Sequence, residues 1–326
     1  MIVAINVKEV FCMFETFSAT VSAMLVMFVC IAVGFLLRKF RMAPENTASV
    51  LSKLELYVFL PAQILVTFIN YCTVETLRTQ YRVVLYGVVA IALLIAVGLL
   101  GARFFSKEKN ERNIYLYSLI IANMGFLGNA IVPQIMGQEA LYSYLLFCLP
   151  FNIVLYTWAI NLLIPVGKGE KKSIWKRLKH PTLIAIAVGI VLGLTGVGKV
   201  MPKFVNTTLT NLSGCMGPVA MLLTGFVIGG YKLTDLLKNK KVYIISFLRL
   251  LVLPGMTVAV LTLLGADKMT ALLGMFGTGA ALGLNTVVVP AAYDGDTRTG
   301  AAMAMISHVG AIVTIPLLYA LFTQIL

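Results

Sequence analysis

Two apolar stretches, 114–137 and 269–293, are each long enough to cross a bilayer, and each is interrupted near its middle. The first carries Asn123, Gly125, Gly128 and Asn129 ahead of Pro133; the second carries Gly277, Gly279, Gly283 and Asn285 ahead of Pro290. Proline removes a backbone donor and clashes with the preceding turn, while glycine lets the backbone leave the helical region. In hydrocarbon, the freed N–H and C=O groups survive only inside protein or beside a water-filled cavity. Two such breaks in corresponding halves of a chain point to the binding site of a secondary transporter.

The rest of the chain fits that setting. Of 326 residues, 60% are hydrophobic and 12% charged, far more apolar surface than a water-soluble domain can hide. A helix needs roughly 20 apolar residues to cross a bilayer. Charges and turn residues divide the sequence into ten expected spans: 17–37, 46–70, 82–105, 113–137, 139–165, 181–197, 204–231, 241–265, 269–293 and 298–325. The first span ends in Arg38, Lys39 and Arg41 with no small-residue cleavage pattern, so it reads as a retained helix. The five cysteines (Cys12, Cys30, Cys72, Cys148, Cys215) are scattered, and His180 and His308 are far apart, so neither disulfide framework nor metal site is expected. No cofactor motif, HExxH, paired catalytic acids or Ser-His-Asp grouping is evident, which speaks against an enzyme.

A formal charge of +13 would suggest nucleic acid in a soluble protein; here it reads as loop bias. With the N-terminus outside, the inner loops hold eighteen lysines and arginines, including Lys168, Lys171, Lys172, Lys176 and Arg177, and the outer side holds six, including Lys8. Both termini are therefore expected outside a plasma (inner) membrane. The halves also repeat: Pro61 and Pro218 lie 157 residues apart, as do Pro133 and Pro290. Five spans per repeat invert the second copy. The expected fold is an all-α membrane protein of ten helices in a 5+5 inverted repeat, with units 1–165 and 181–326 joined by a cytoplasmic loop, 166–180.

The sequence also resembles the auxin efflux carrier family, particularly its bacterial members. The resemblance rests on Gly34-Phe35-Leu36-Leu37-Arg38-Lys39, on Tyr57-Val58-Phe59-Leu60-Pro61-Ala62, on Asn123-Met124-Gly125-Phe126-Leu127-Gly128 with Gly137-Gln138-Glu139-Ala140, and on Pro150-Phe151-Asn152. It implies crossed, broken helices 4 and 9 meeting at their prolines, a scaffold of helices 1, 2, 6 and 7, and a moving part of helices 3–5 and 8–10. It also implies transport of organic anions such as dicarboxylates, and a homodimer.

Half-helix ends at the two breaks would point inward, where N-terminal N–H groups hold an anion without a formal charge. Asn129, Pro133, Asn285 and Pro290 are expected at that centre. Asn123 and Asn152 are polar groups in apolar spans; substrate contact and interhelical hydrogen bonding both account for them. Arg249, inside the eighth span, balances an anionic substrate, snorkels to the surface or pairs structurally. Glu139, Asp296 and His308 are the candidates for coupling to an ion. The reading is a permease for a small organic anion, such as a carboxylate, working by alternating access in contact with membrane lipid. A sodium-coupled symporter of the bile-acid type shares the helix layout and stands as the alternative; proton or sodium coupling stays open.

Overall fold

In the computed structural model, described for residues 7–167, 179–291, 293 and 295–326, the described residues form helices and no strand. We label them α1 (Val7–Lys39), α2 (Thr47–Tyr71), α3 (Val74–Phe105), α4 (Lys109–Ile120), α5 (Met124–Met136) and α6 (Gln138–Leu162). The second half holds α7 (Pro181–Leu194), α8 (Lys203–Gly229), α9 (Lys240–Leu263), α10 (Lys268–Gly279), α11 (Asn285–Ala291) and α12 (Arg298–Ile325). Lys168, Lys171, Lys172, Lys176 and Arg177 of the expected cytoplasmic loop lie outside the described residues, as does the side chain of Lys8.

Seven of these helices (α1, α2, α3, α6, α8, α9 and α12) are each long and apolar enough to cross a membrane. Their outward faces are apolar: Leu25, Val26 and Val29 on α1, Leu85 and Leu100 on α3, and Val309 and Val313 on α12 are exposed. Such a belt is costly in water and suits lipid. The interior is filled by bulky aromatics, among them Tyr115, Tyr117, Tyr142, Tyr144, Phe147 and Phe151. α1 and α8 form one of the closest pairs because each offers a glycine. A Cβ on Gly34 would strike the Leu222 carbonyl, and one on Gly225 the Ile31 carbonyl. Lipid gives helices no hydrophobic drive to associate, so this backbone approach is how they gain contact.

Local chemistry sets the helix ends. Thr73 begins α3 with a reciprocal cap: its Oγ1 accepts from the Thr76 N–H at 3.1 Å while its own N–H donates to Thr76 Oγ1 at 2.8 Å. Glu108 caps α4, its carboxylate accepting from the N–H groups of Asn110 and Glu111, and those bonds hold its carboxyl below the usual range.

Proline explains two of the four wide π-helical turns among the described residues. Pro61 and Pro254 have no N–H to give to the carbonyls four residues back, Tyr57 and Leu250, and each of these lies within a π-turn, Glu55–Phe59 and Leu248–Val252. Both turns hold a fully buried ionisable side chain, Glu55 and Arg249. The Glu55 carboxyl oxygens have no hydrogen-bond partner among the described residues.

Candidate functional site

The two interrupted stretches break as their glycines allow, and the broken ends touch. α4 stops at Ile120, Ile121 is extended (φ −112°, ψ 122°), and the helix resumes at Met124 through a π-turn. α10 stops at Gly279, Ala280 is extended (φ −63°, ψ 153°), and α11 starts at Asn285. Between them Ala122 and Leu282 form an antiparallel bridge, and the Asn123 N–H donates to the Ala281 carbonyl at 2.7 Å. The Leu282 N–H donates to Ser307 Oγ on α12 at 2.9 Å. The Asn123 and Leu282 N–H groups and the Ala281 carbonyl, freed by the breaks, are thus paired, as a low-dielectric interior requires. The segments meet at Ala122 and Leu282, ahead of Pro133 and Pro290; both prolines sit inside the helices that follow the breaks.

Pro133 still shapes the site. It has no N–H for the Asn129 carbonyl, and Gln63 of α2 supplies the donor instead, Nε2 to oxygen at 3.1 Å. Gly128 has a second role: a Cβ there would run into the Tyr144 hydroxyl, which donates to the Met124 carbonyl at 3.1 Å. On the α4 side, Arg249 Nη1 donates to the Leu119 carbonyl at 2.9 Å. A cation at a helix C-terminus opposes the negative end of the dipole. Arg249 is fully buried, so it does not snorkel, and its Nε and Nη2 have no partner among the described residues.

Beside the crossing lies a cavity of about 190 Å³. Asn123, Asn129, Asn152 and Asn285 all line it, together with Ser52, Tyr156, His180, Thr182 and apolar side chains including Leu56, Leu60 and Leu145. Its described lining contains no carboxylate and no lysine or arginine. Four amides, convergent from α5, α6, α11 and the α4–α5 break, make a neutral polar spot in an apolar wall. Asn285 Nδ2 donates to the Tyr117 hydroxyl at 2.9 Å, and Asn123 Nδ2 lies 3.3 Å from His308 Nε2. His308, buried on α12, places Nδ1 2.7 Å from the Ala304 carbonyl.

The other expected residues lie elsewhere. Pro133 borders a second void of about 400 Å³, lined also by Gln63, Thr67, Asn70, Gln134, Gln138 and Thr210. Asn129 borders both voids. The first reaches the end of the bundle where α2 and α7 begin; the second reaches the end where α2 stops and α6 begins. Pro290 and Asp296 line a recess near Glu108 and Glu111. Glu139 is exposed in the first turn of α6, and Asp296 Oδ1 accepts from the Arg298 N–H at 3.0 Å at the start of α12, so both occupy helix N-terminal positions. Arg249 does not line the central cavity.

Three lining residues carry no sequence signal of their own. His180 stacks on Tyr156, ring centroids 3.5 Å apart, its Nδ1 accepts from the Thr182 N–H at 3.4 Å, and Tyr156 and Thr182 hydroxyls lie 3.2 Å apart. His180 sits ahead of α7, and burial pushes its imidazole down to about 4, so it is neutral near pH 7. A wider recess of about 740 Å³ shares Ser52 and Val288 with the central cavity and carries Arg38, Glu45 and Lys53.

Among the described residues, a helical bundle with an apolar outer belt encloses voids beside two interrupted stretches, an arrangement suited to a membrane transport protein. Comparison with known proteins agrees: residues 19–319 match the family described as membrane transport protein, and the chain belongs to that auxin efflux carrier-like family. It is similar to an uncharacterized transporter of Methanocaldococcus jannaschii, 26% identical over 206 residues, covering 62% of this chain and 66% of the relative. An uncharacterized transporter of Methanothermobacter thermautotrophicus is 23% identical over 256 residues, 75% of this chain and 79% of that protein.

Proposed function

We propose that the protein is a secondary carrier for a small organic anion, moved by alternating access between the two voids. The observation that carries this reading is the position of Asn129, which borders a cavity toward one end of the bundle and a void toward the other. A substrate held at the crossing needs only a shift of the surrounding helices to change the side from which it is reached. In this reading the helices form a ten-span, inverted 5+5 repeat, which counts the short α7 and the two broken pairs, α4–α5 and α10–α11, as spans. Helices 1, 2, 6 and 7 of that count serve as scaffold, and the termini lie outside the plasma membrane.

An anion suits the surroundings. Met124 and Gly125 at the start of α5, and Asn285 at the start of α11, line the cavity, and helix N-termini carry partial positive charge. Asn129, Asn152 and Asn285 supply N–H donors for a carboxylate. Arg249 adds a full positive charge behind the crossing, and Lys53 in the connecting recess, beside the Arg38–Glu45 ion pair (3.1 Å), draws anions toward it. The same amide oxygens also suit sodium, which favours the bile-acid-type symporter as the second reading.

A thermal-shift series on purified protein tests this, using mono- and dicarboxylates with and without sodium at two pH values. Stabilisation by carboxylates without sodium supports the anion carrier. Stabilisation by sodium alone supports the symporter. No response to any carboxylate under any condition refutes the anion reading.

A further inference from the structure

Asn123 is an amide held at one end and free at the other. Its Nδ2 lies 3.3 Å from His308 Nε2, while no described residue donates to its Oδ1, although the residue lines the central cavity. The imidazole has its own constraint. Nδ1 is 2.7 Å from the Ala304 carbonyl, an acceptor only, so Nδ1 carries the hydrogen. In the neutral ring Nε2 is then an acceptor. It takes a hydrogen from the Asn123 amide, and the amide turns its oxygen to the cavity.

Protonation reverses that arrangement. A proton taken from bulk water onto Nε2 leaves Nδ1–H on the Ala304 carbonyl and makes Nε2 a donor. A donor facing the NH₂ group of Asn123 is unfavourable. Rotating the amide by half a turn puts Oδ1 on His308 and the NH₂ group into the cavity. The acceptor offered to the ligand becomes a donor, and a positive charge now sits one residue behind it.

We propose that His308 is a positioning residue whose protonation sets which end of the Asn123 amide faces the cavity, so that anion binding is linked to uptake of one proton. The proposal rests on the anion-carrier reading above and deepens it by naming the coupling. Buried His308 reaches the cavity through a single amide, so ligand and proton compete for no common atom. The charged and titratable groups on helices packed against α12 do not replace it. Arg249 of α9 is bonded to the Leu119 carbonyl and Tyr117 of α4 to Asn285. Tyr115 of α4 is bonded to Glu111 and Asn239. Arg38 and Lys39 of α1, Lys203 of α8, Lys240 and Lys241 of α9 and Lys268 of α10 lie at helix ends, and Asp235 pairs with Lys238. Cys30 lies on α1, exposed Cys215 on α8 and exposed Tyr243 on α9.

Isothermal titration of the detergent-purified full chain with L-malate, malonate and acetate, at about pH 6.5 and about pH 8, tests the linkage. Each titration is run in two buffers of different ionisation heat, which reads protons exchanged per anion bound. The expected result is tighter binding at the lower pH, by up to about tenfold per pH unit, with uptake approaching one proton. His308→Gln, which keeps a hydrogen-bonding side chain but no titratable ring, is expected to bind with no pH slope and no uptake. Should that variant fail to fold, Asn123→Ala is expected to lose uptake while retaining the ring. Binding by wild type without proton uptake, or uptake unchanged in either variant, overturns the linkage and leaves the anion carrier standing. Absence of binding by all three carboxylates at both pH values overturns both.

Discussion

Replacing Arg249 by methionine separates its electrostatic contribution to the site from its contribution to the fold. Nη1 contacts the Leu119 carbonyl, and Leu119 is four residues from Asn123 at the cavity wall. Four residues span at most roughly 13 Å when fully extended. A unit charge acting on an anion across about 13 Å, at an effective dielectric of about 20, contributes on the order of 1.3 kcal/mol, close to tenfold in affinity. Arg249→Met therefore weakens carboxylate binding by about tenfold, or more where the path is bent and shorter. The fold responds differently. Methionine loses the hydrogen bond to the α4 terminus, on the order of 1.5–3 kcal/mol for a charged donor. It also removes a buried cation whose Nε and Nη2 have no partner, and that relief is of similar size. The thermal midpoint should move by only a few degrees while affinity falls. Arg249→Lys, retaining the charge, should recover most of the affinity. Titration of both variants with a stabilising carboxylate decides the matter: unchanged affinity in a folded Arg249→Met protein refutes any electrostatic role at the site.

Three further outcomes follow from the packing. Gln63→Leu leaves the buried Asn129 carbonyl unpaired and should cost about 1–3 kcal/mol; in a Pro133→Ala background, where an alanine N–H can take that carbonyl, the cost should shrink, and a double-mutant cycle showing plain additivity would contradict the pairing. Gly225→Leu drives a side chain into the Ile31 backbone of α1 and should destabilise by about 1–3 kcal/mol or more, with yield and thermal midpoint falling together; a wild-type midpoint would show that α1 and α8 do not pack so closely. His180 is neutral in the folded state, its pKa lowered from 6.5 to about 4, so the unfolded chain binds more protons between those values. Its stabilising effect is complete above about pH 6.5 and lost as pH falls toward 4; His180→Asn should flatten the midpoint-against-pH curve in that window, and an unchanged slope counts against a buried neutral ring.

The helical course of the chain was legible because lipid leaves few options. Apolar runs bounded by Arg38, Arg103 or Lys240 had to be helices to satisfy their backbones, and Asn123 and Asn285 stood out as polar groups in such runs. The breaks were legible too, since Gly125, Gly128, Gly279 and Gly283 cluster where the helices stop. Their meeting point was less so. Proline marks where a carbonyl is freed one turn upstream, while the crossing forms where the backbone is extended, at Ala122 and Leu282, whose side chains carry no signal. Gln63 was missed because its task, serving the carbonyl that Pro133 abandons, exists only once α2 lies beside α5. His180, Tyr156 and Thr182 were missed for the same reason: each is ordinary alone, and their juxtaposition depends on α7 packing beside the end of α6.

The knot at the centre is tied by main-chain atoms, whereas the walls of the adjoining chamber are made by side chains. Substitution can therefore change the side chains of Asn123, Asn152 or His180 without removing the hydrogen bond from the Asn123 N–H to the Ala281 carbonyl that joins the two breaks. In the carrier proposed above, the side chains that meet the substrate can thus differ while the main-chain contact between the two breaks is kept.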